Sequence, residues 1–239
     1  TPMHPWQNPE LARIHGKRES KLGYSTLITG MDHNVGRVLK RLDEMGAREN
    51  TLVIFTADQG YNAGHHGVWG KGNGTWPFNM YDEALRVPLI WNHPGRIKAG
   101  REIPSLVSSY DFFPTILDYL GVPAPKGGGR RPGRSYTRLL QGDDRNWRDR
   151  LYFEYAYVRG LRTRNLKYVE RTKEFPSELY DLEADPGETS NKITDPSYAK
   201  TREALRAELA GFFEKSEAPA LENWRSTTKQ ELHKYPAPK

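Results

Sequence analysis

Residues 51–71 read TLVIFTADQGYNAGHHGVWGK, and the change of texture inside that run decides the fold class. Thr51–Thr56 is a continuous apolar, β-branched and aromatic run without alternation. That pattern suits a short strand covered on both faces, as in a parallel sheet. The strand gives way to Asp58-Gln59-Gly60 and a glycine-rich polar loop. Upstream, Leu22, Leu27, Met31, Val35, Val38, Leu39 and Leu42 recur at helical spacing, predicting a helix from Glu19 to Met45 with Gly46 as its C-cap. Helix, glycine turn, buried strand and polar loop is the order of an α/β fold.

Further along, Val87–Trp91 (VPLIW) predicts a second buried strand and Ser105–Ser108 a third. Tyr110–Leu120 predicts a helix with Pro114 near its start, where a missing N–H costs least, and Gly121 ends it. Pro123–Arg134 reads as a long loop containing the basic run GGGRRPGR at 127–134. After Gly142 the texture changes. Leu151–Val158, Gly160–Arg164, Lys167–Glu170 and Glu178–Asp181 read as short strands rich in Tyr and Arg. Asp185-Pro186-Gly187 is a turn. Asp195–Ser216 is an amphipathic helix with Tyr198, Leu205, Leu209, Phe212 and Phe213 on one side. The expected division is 1–142, an α/β portion, and 143–239, a small antiparallel sheet plus helix and a loosely held polar tail from Glu217.

The chain has 239 residues, 36% of them hydrophobic and 28% charged, and its 6 Trp, 13 Tyr and 8 Phe are enough aromatic mass for real cores. It has no cysteine, which excludes disulfides, Cys-ligated zinc and a thiol nucleophile within it, and leaves both cytoplasm and periplasm open. No stretch approaches the roughly 20 apolar residues of a membrane span. The net charge of +6 is scattered rather than laid out as a stripe with interleaved aromatics, so no nucleic-acid partner is expected. The opening Thr1-Pro2-Met3-His4-Pro5 reads as the middle of a loop, as in a piece of a longer chain.

The chemistry concentrates where the first strand ends. Asp58 and Gln59 bring oxygen donors to a strand's carboxyl edge, where open α/β sheets bind ligands. Such donors suit a hard cation such as Ca²⁺ or Mg²⁺ better than zinc or copper. His65, His66 and Lys71 follow among glycines that let backbone approach a ligand. A lysine there is a compact charge for an anionic oxygen. Together these point to a metal plus a tetrahedral oxyanion, phosphate or sulfate. The competing reading is a surface loop with a capping Asp and solvated His and Lys.

Thr56-Ala-Asp-Gln-Gly60, then Gly64-His-His-Gly-Val-Trp-Gly-Lys71, then Arg86-Val-Pro-Leu-Ile90 resembles the sulfatase family of the alkaline-phosphatase-like superfamily. Met31–Leu39, Tyr110–Gly121 and Glu178–Glu188 (ELYDLEADPGE) extend the resemblance, which covers roughly 20–215 in order. It implies part of a mostly parallel sheet flanked by helices, and hydrolysis of sulfate esters such as aryl sulfates or sulfated glycans. Phosphonate or phosphodiester hydrolysis, or a non-catalytic fragment, are the alternatives. Asp58 and Gln59 are implied metal ligands, with Ca²⁺ first and Mg²⁺ or Mn²⁺ as alternatives. Lys71 is the implied sulfate contact, and His66 a substrate contact or a holder of the loop. His65 is peripheral, Arg86 a buried ion-pair partner, Asp32 a helix-packing or supporting acid, and Trp69, Asn73 and Trp76 pocket-shaping or packing residues. A bacterial periplasmic or secreted setting follows from the same resemblance.

The family's nucleophile is a formylglycine made from a C/S-x-P-x-R motif, and this sequence contains none; Ser135-Tyr-Thr-Arg138 lacks the proline. The family's acid-role histidine precedes a Thr-Pro-like step, so it would fall just before Thr1, with His4 a poor substitute. The expectation is therefore a chain inactive without an N-terminal segment or chain that supplies the nucleophile and the remaining metal ligands.

Overall fold

The computed structural model describes residues 2–125, 132–172 and 174–216. The basic run at 127–134 lies largely outside them and the tail from Glu217 wholly outside. The chain divides into two compact units, one up to Arg101 and one from Glu102 onward, well before the expected division at Gly142.

In the first unit, α1 (Pro9–Ala12) is followed by the long α2 (Arg18–Glu44). Gly46 closes α2 as expected, with Ala47 N–H donating to Leu42 O at 3.0 Å. The helix buries nothing completely. Val35, Leu39 and Leu42 are half-buried, whereas Leu22, Leu27, Met31 and Val38 stay exposed. Strand β1 (Val53–Thr56) then forms, hairpin β2 (Asn62–Ala63) and β3 (Trp69–Gly70) follows, and short α3 (Asp82–Leu85) leads into β4 (Leu89–Asn92).

Strand β1, whose apolar run suits a parallel sheet, instead pairs antiparallel with β4, the second expected strand, with Ile54 opposite Trp91 and Phe55 opposite Ile90. No parallel pair occurs among the described residues. Ile90 and Thr56 are exposed and Val53–Phe55 only half-buried, so the described residues do not cover both faces of the strand. An apolar run signals burial but carries no information on the direction of its neighbour. The first unit's core instead collects behind the hairpin, in Val68, Trp69, Trp76, Phe78, Met80, Tyr81 and Ala84.

In the second unit, Ser105–Ser108 is irregular rather than a strand. Its polar end caps the next helix: Ser108 N–H donates to Asp111 Oδ2 at 2.8 Å, and α4 (Phe112–Leu120) follows. Asp111 is wholly buried, accepting also from Arg134 N–H at 2.9 Å and pairing with Arg148. After α5 (Thr137–Gln141) comes an antiparallel sheet in sequence order, β5 (Arg150–Tyr155), β6 (Val158–Thr163), β7 (Leu166–Arg171) and β8 (Glu178–Asp181). Helix α6 (Ala199–Lys215) lays Leu205, Leu209 and Phe213 on Leu161, Tyr168 and Leu179. That is the expected amphipathic helix on the expected small sheet.

Among the described residues Lys167 with Glu188 and Arg171 with Glu178, the latter at 2.9 Å, are further buried ion pairs. Removing one partner of such a pair strands the other charge. Glu188→Ala should therefore cost about 3–5 kcal/mol in denaturant unfolding. The double replacement Lys167→Met with Glu188→Met should recover most of that loss.

Candidate functional site

The loop after β1 is set by one backbone approach. Gly60 N–H donates to Ala84 O at 3.0 Å. A Cβ on Gly60 would lie 2.0 Å from Glu83 O and 2.7 Å from Arg86 O. Only glycine permits that contact, which docks the strand end against α3. Asp58 and Gln59 immediately precede it and are both exposed. Neither side chain makes a hydrogen bond or ion pair among the described residues, so their oxygens remain available. Hard oxygen donors with open lone pairs fit a divalent cation, although Ca²⁺ takes about six to eight oxygens and these two residues offer at most three. Asp58 belongs to no cluster of three or more His or acidic ligands among the described residues.

The loop continues through the β2–β3 hairpin. Gly67 is in the left-handed region, φ 71°, and a Cβ there would meet Pro2 O at 2.0 Å; His4 N–H donates to Gly67 O at 2.8 Å. The N-terminal segment is thereby held against the loop. Buried Gln7 locks it further, accepting from Trp69 N–H at 2.7 Å and donating to Trp69 O at 3.1 Å and Gly74 O at 2.9 Å.

His66 is tightly held. Its Nε2 lies 3.1 Å from Glu83 Oε2, and its ring stacks on Tyr81 with centroids 3.7 Å apart and planes 4° from parallel. Tyr81 in turn reaches His4 Nε2 with its hydroxyl at 3.5 Å. The His66 hydrogen bond holds the Glu83 carboxyl below its ordinary 4.5, against partial burial, which pushes it up. The structure thus brings together His66, Glu83, Tyr81 and His4, of which the sequence singled out His66, and His4 only as a poor substitute for the family's acid-role histidine. His65 is exposed.

Lys71 follows β3 and is half-buried, with no carboxylate within salt-bridge distance among the described residues. Its backbone is gripped by Asn79, buried to 3% exposure, whose Nδ2 donates to Lys71 O at 3.1 Å and Gly72 O at 3.2 Å. A half-buried, unpaired ammonium on a fixed backbone is suited to an anionic ligand.

Arg86 departs from expectation. It is exposed, its nearest acid Asp82 at 3.9 Å and its side chain 75% accessible, because α3 ends at Leu85 and the chain leaves the core in extended form. Asp32 and Asn73 are exposed, while Trp69 and Trp76 are core residues. Trp76 packs edge-on to Phe78 at 5.0 Å.

Residues 64–215 match the family described as N-sulphoglucosamine sulphohydrolase, C-terminal, and residues 4–122 match the sulfatase family. An N-acetylglucosamine-6-O-sulfatase of Bacteroides thetaiotaomicron is 32% identical over 76% of this chain and 33% of its own length. A solved protein in complex with its substrate D-glucosamine-2-N,6-O-disulfate superposes with a TM-score of 0.70 at 31% identity, over 80% of this chain and 39% of the other. The phosphonate monoester hydrolase of Agrobacterium radiobacter superposes at 0.68 with 28% identity, over 79% and 40%. The chain thus spans about a third to two fifths of the length of these proteins. The fold, a mixed helix and strand core with a small antiparallel sheet and helix, is theirs. Among the described residues no helix is long and apolar enough to cross a membrane.

The Glu83–His66 bond has a pH signature. A depressed carboxyl contributes stability that is complete above its ordinary 4.5 and disappears as pH falls through the lowered value. The stabilising difference in melting temperature between the wild type and Glu83→Gln should be larger at about pH 5 than at pH values well below that ordinary 4.5. A difference that does not change between those conditions would contradict the bond.

Proposed function

Because the chain belongs to the sulfatase family of the alkaline-phosphatase-like superfamily, we propose that it hydrolyses sulfate esters in concert with residues outside this chain, supplying one wall of the site. The observation that carries the reading is the fixed loop: Asp58 and Gln59 at a glycine-locked strand end and a half-buried Lys71 on the same loop, none of the three side chains partnered among the described residues.

In this reading the Asp58 carboxylate and the Gln59 amide oxygen hold a divalent cation, Ca²⁺ first and Mg²⁺ or Mn²⁺ as alternatives. Such a cation, when bound, supplies Lewis-acid polarisation of a sulfate oxygen. Lys71 sets its ammonium against a sulfate oxygen and neutralises charge that grows as the ester S–O bond breaks, an effect largest where the cation is already positioned. His66 contacts the substrate side through the ring nitrogen that Glu83 does not hold. The nucleophile, a formylglycine by family resemblance, and the remaining metal ligands come from an N-terminal segment or chain outside these residues. Sulfated glucosamine units are the first substrate class to try, since residues 64–215 match the N-sulphoglucosamine sulphohydrolase C-terminal family.

Likeness to a phosphonate monoester hydrolase supports a second reading, in which the same donors act on a phosphonate ester. Parallel assays of the intact enzyme with an aryl sulfate and an aryl phosphonate separate the two. The sulfate should be the better substrate, and a large preference for the phosphonate would overturn the choice. Lys71→Ala should lower kcat by about 10²–10³, the usual loss when a preorganised charge-stabilising donor is removed. Asp58→Ala should weaken the apparent affinity for the activating cation.

A further inference from the structure

Lys71 leaves β3 into a turn of glycines, Gly72-Asn73-Gly74, which by themselves would let its side chain sample many directions. One buried amide removes that freedom. Asn79 Nδ2 lies 3.1 Å from Lys71 O, 3.2 Å from Gly72 O and 3.2 Å from Thr75 Oγ1, and Asn79 N–H donates to Gly72 O at 3.0 Å. Its orientation is itself fixed, because its Oδ1 accepts from Asn62 Nδ2 at 3.3 Å. Asn62, fully buried, sits on β2 opposite Gly70, the residue before Lys71. The carbonyls of the lysine and of the glycine after it are thus tied to the Asn79 side chain, and that side chain to the strand behind. Neither asparagine carries charge, both are buried, and nothing about their spacing marks them in the sequence.

We propose that Asn79, braced by Asn62, is the positioning residue for Lys71: it fixes the backbone from which the ammonium is aimed at the sulfate. The proposal rests on the sulfatase reading of Lys71. A positioning group acts only through the residue it positions, and misplacement by about an ångström costs catalysis on the order of 10²-fold. Asn79→Asp is the sharper variant, because it keeps the volume and replaces the donor by an oxygen facing two carbonyl oxygens. Asn79→Ala removes the group altogether.

The test is a double-mutant cycle in the intact enzyme. It uses Asn79→Asp, Asn79→Ala, Lys71→Ala and the combinations, reading kcat and KM on an aryl sulfate, with backbone amide exchange over residues 69–75 measured on the same proteins. Each Asn79 variant should lower kcat about 10–100-fold, the range for groups that orient a functional residue. In the Lys71→Ala background the same substitutions should change kcat less than about twofold, since coupled residues are non-additive. Exchange should accelerate over residues 69–75 while the melting transition of the enzyme stays cooperative. Equal losses of kcat in both backgrounds would overturn the proposal, because Asn79 would then act on the unit as a whole. Unchanged exchange over 69–75 would overturn it as well. Faster exchange together with a Lys71→Ala enzyme of full activity would instead place the fault in the role given to Lys71, and so in the sulfatase reading itself.

Discussion

At position 60 the backbone of the loop after β1 lies so close to the backbone of α3 that a methyl group would overlap Glu83 O. The hydrogen bond from Gly60 N–H to Ala84 O fixes the distance, and the missing side chain makes it possible. Much of the first unit's polar architecture depends on this contact. It sets where Asp58 and Gln59 emerge, because they are the last residues before it. It also sets where Glu83 lies, and through Glu83 the imidazole of His66. A strand of four residues and a helix of four have little stability of their own, so a backbone-to-backbone constraint does what longer elements would otherwise do.

The same economy recurs along the loop. Gly67 admits the N-terminal segment, Gln7 satisfies three backbone groups of the hairpin and following turn, and Asn79 holds the carbonyls beside Lys71. Buried side-chain amides can donate and accept at once, which lets one residue satisfy several orphaned backbone groups where no regular ladder exists. The outcome is an irregular loop whose backbone is held internally while the side chains of Asp58, Gln59 and Lys71 have no polar partner among the described residues. A loop that satisfies its own backbone and leaves particular charged and polar tips open is suited to binding.

Much of this was legible in the sequence. The helical repeat ending at Gly46, the apolar run 51–56 and the Tyr- and Arg-rich strands after Gly142 predict α2, β1 and the antiparallel sheet to within a few residues, because periodicity reports local burial. Asp58, Gln59, His66 and Lys71 stand out because charged groups among glycines at a strand end are chemically conspicuous. The sequence was silent wherever the cause is non-local. The antiparallel pairing of β1 with β4 depends on which strand arrives beside it. The exposure of Arg86 depends on where α3 stops. Ser105–Ser108 resembles a strand, yet Ser108 shares a capping box with Asp111 and belongs to the start of a helix. Glu83, Tyr81, Asn79 and Gln7 were missed because each acts through a partner at least eight positions away, and a neutral amide or a tyrosine gives no compositional signal. The glycine at 60 was visible, though only the approach of α3 explains why nothing else serves there.

In the proposed reading the open tips of this loop, Asp58, Gln59 and Lys71, face one ligand. A crystal structure of the intact enzyme grown with calcium and sulfate tests it directly. Anomalous density for the cation is expected about 2.3–2.6 Å from a carboxylate oxygen of Asp58 and the amide oxygen of Gln59. Lys71 Nζ is expected within about 3 Å of an oxygen of a sulfate bound beside that cation. A cation bound elsewhere, with Asp58 and Lys71 both facing solvent, would contradict it.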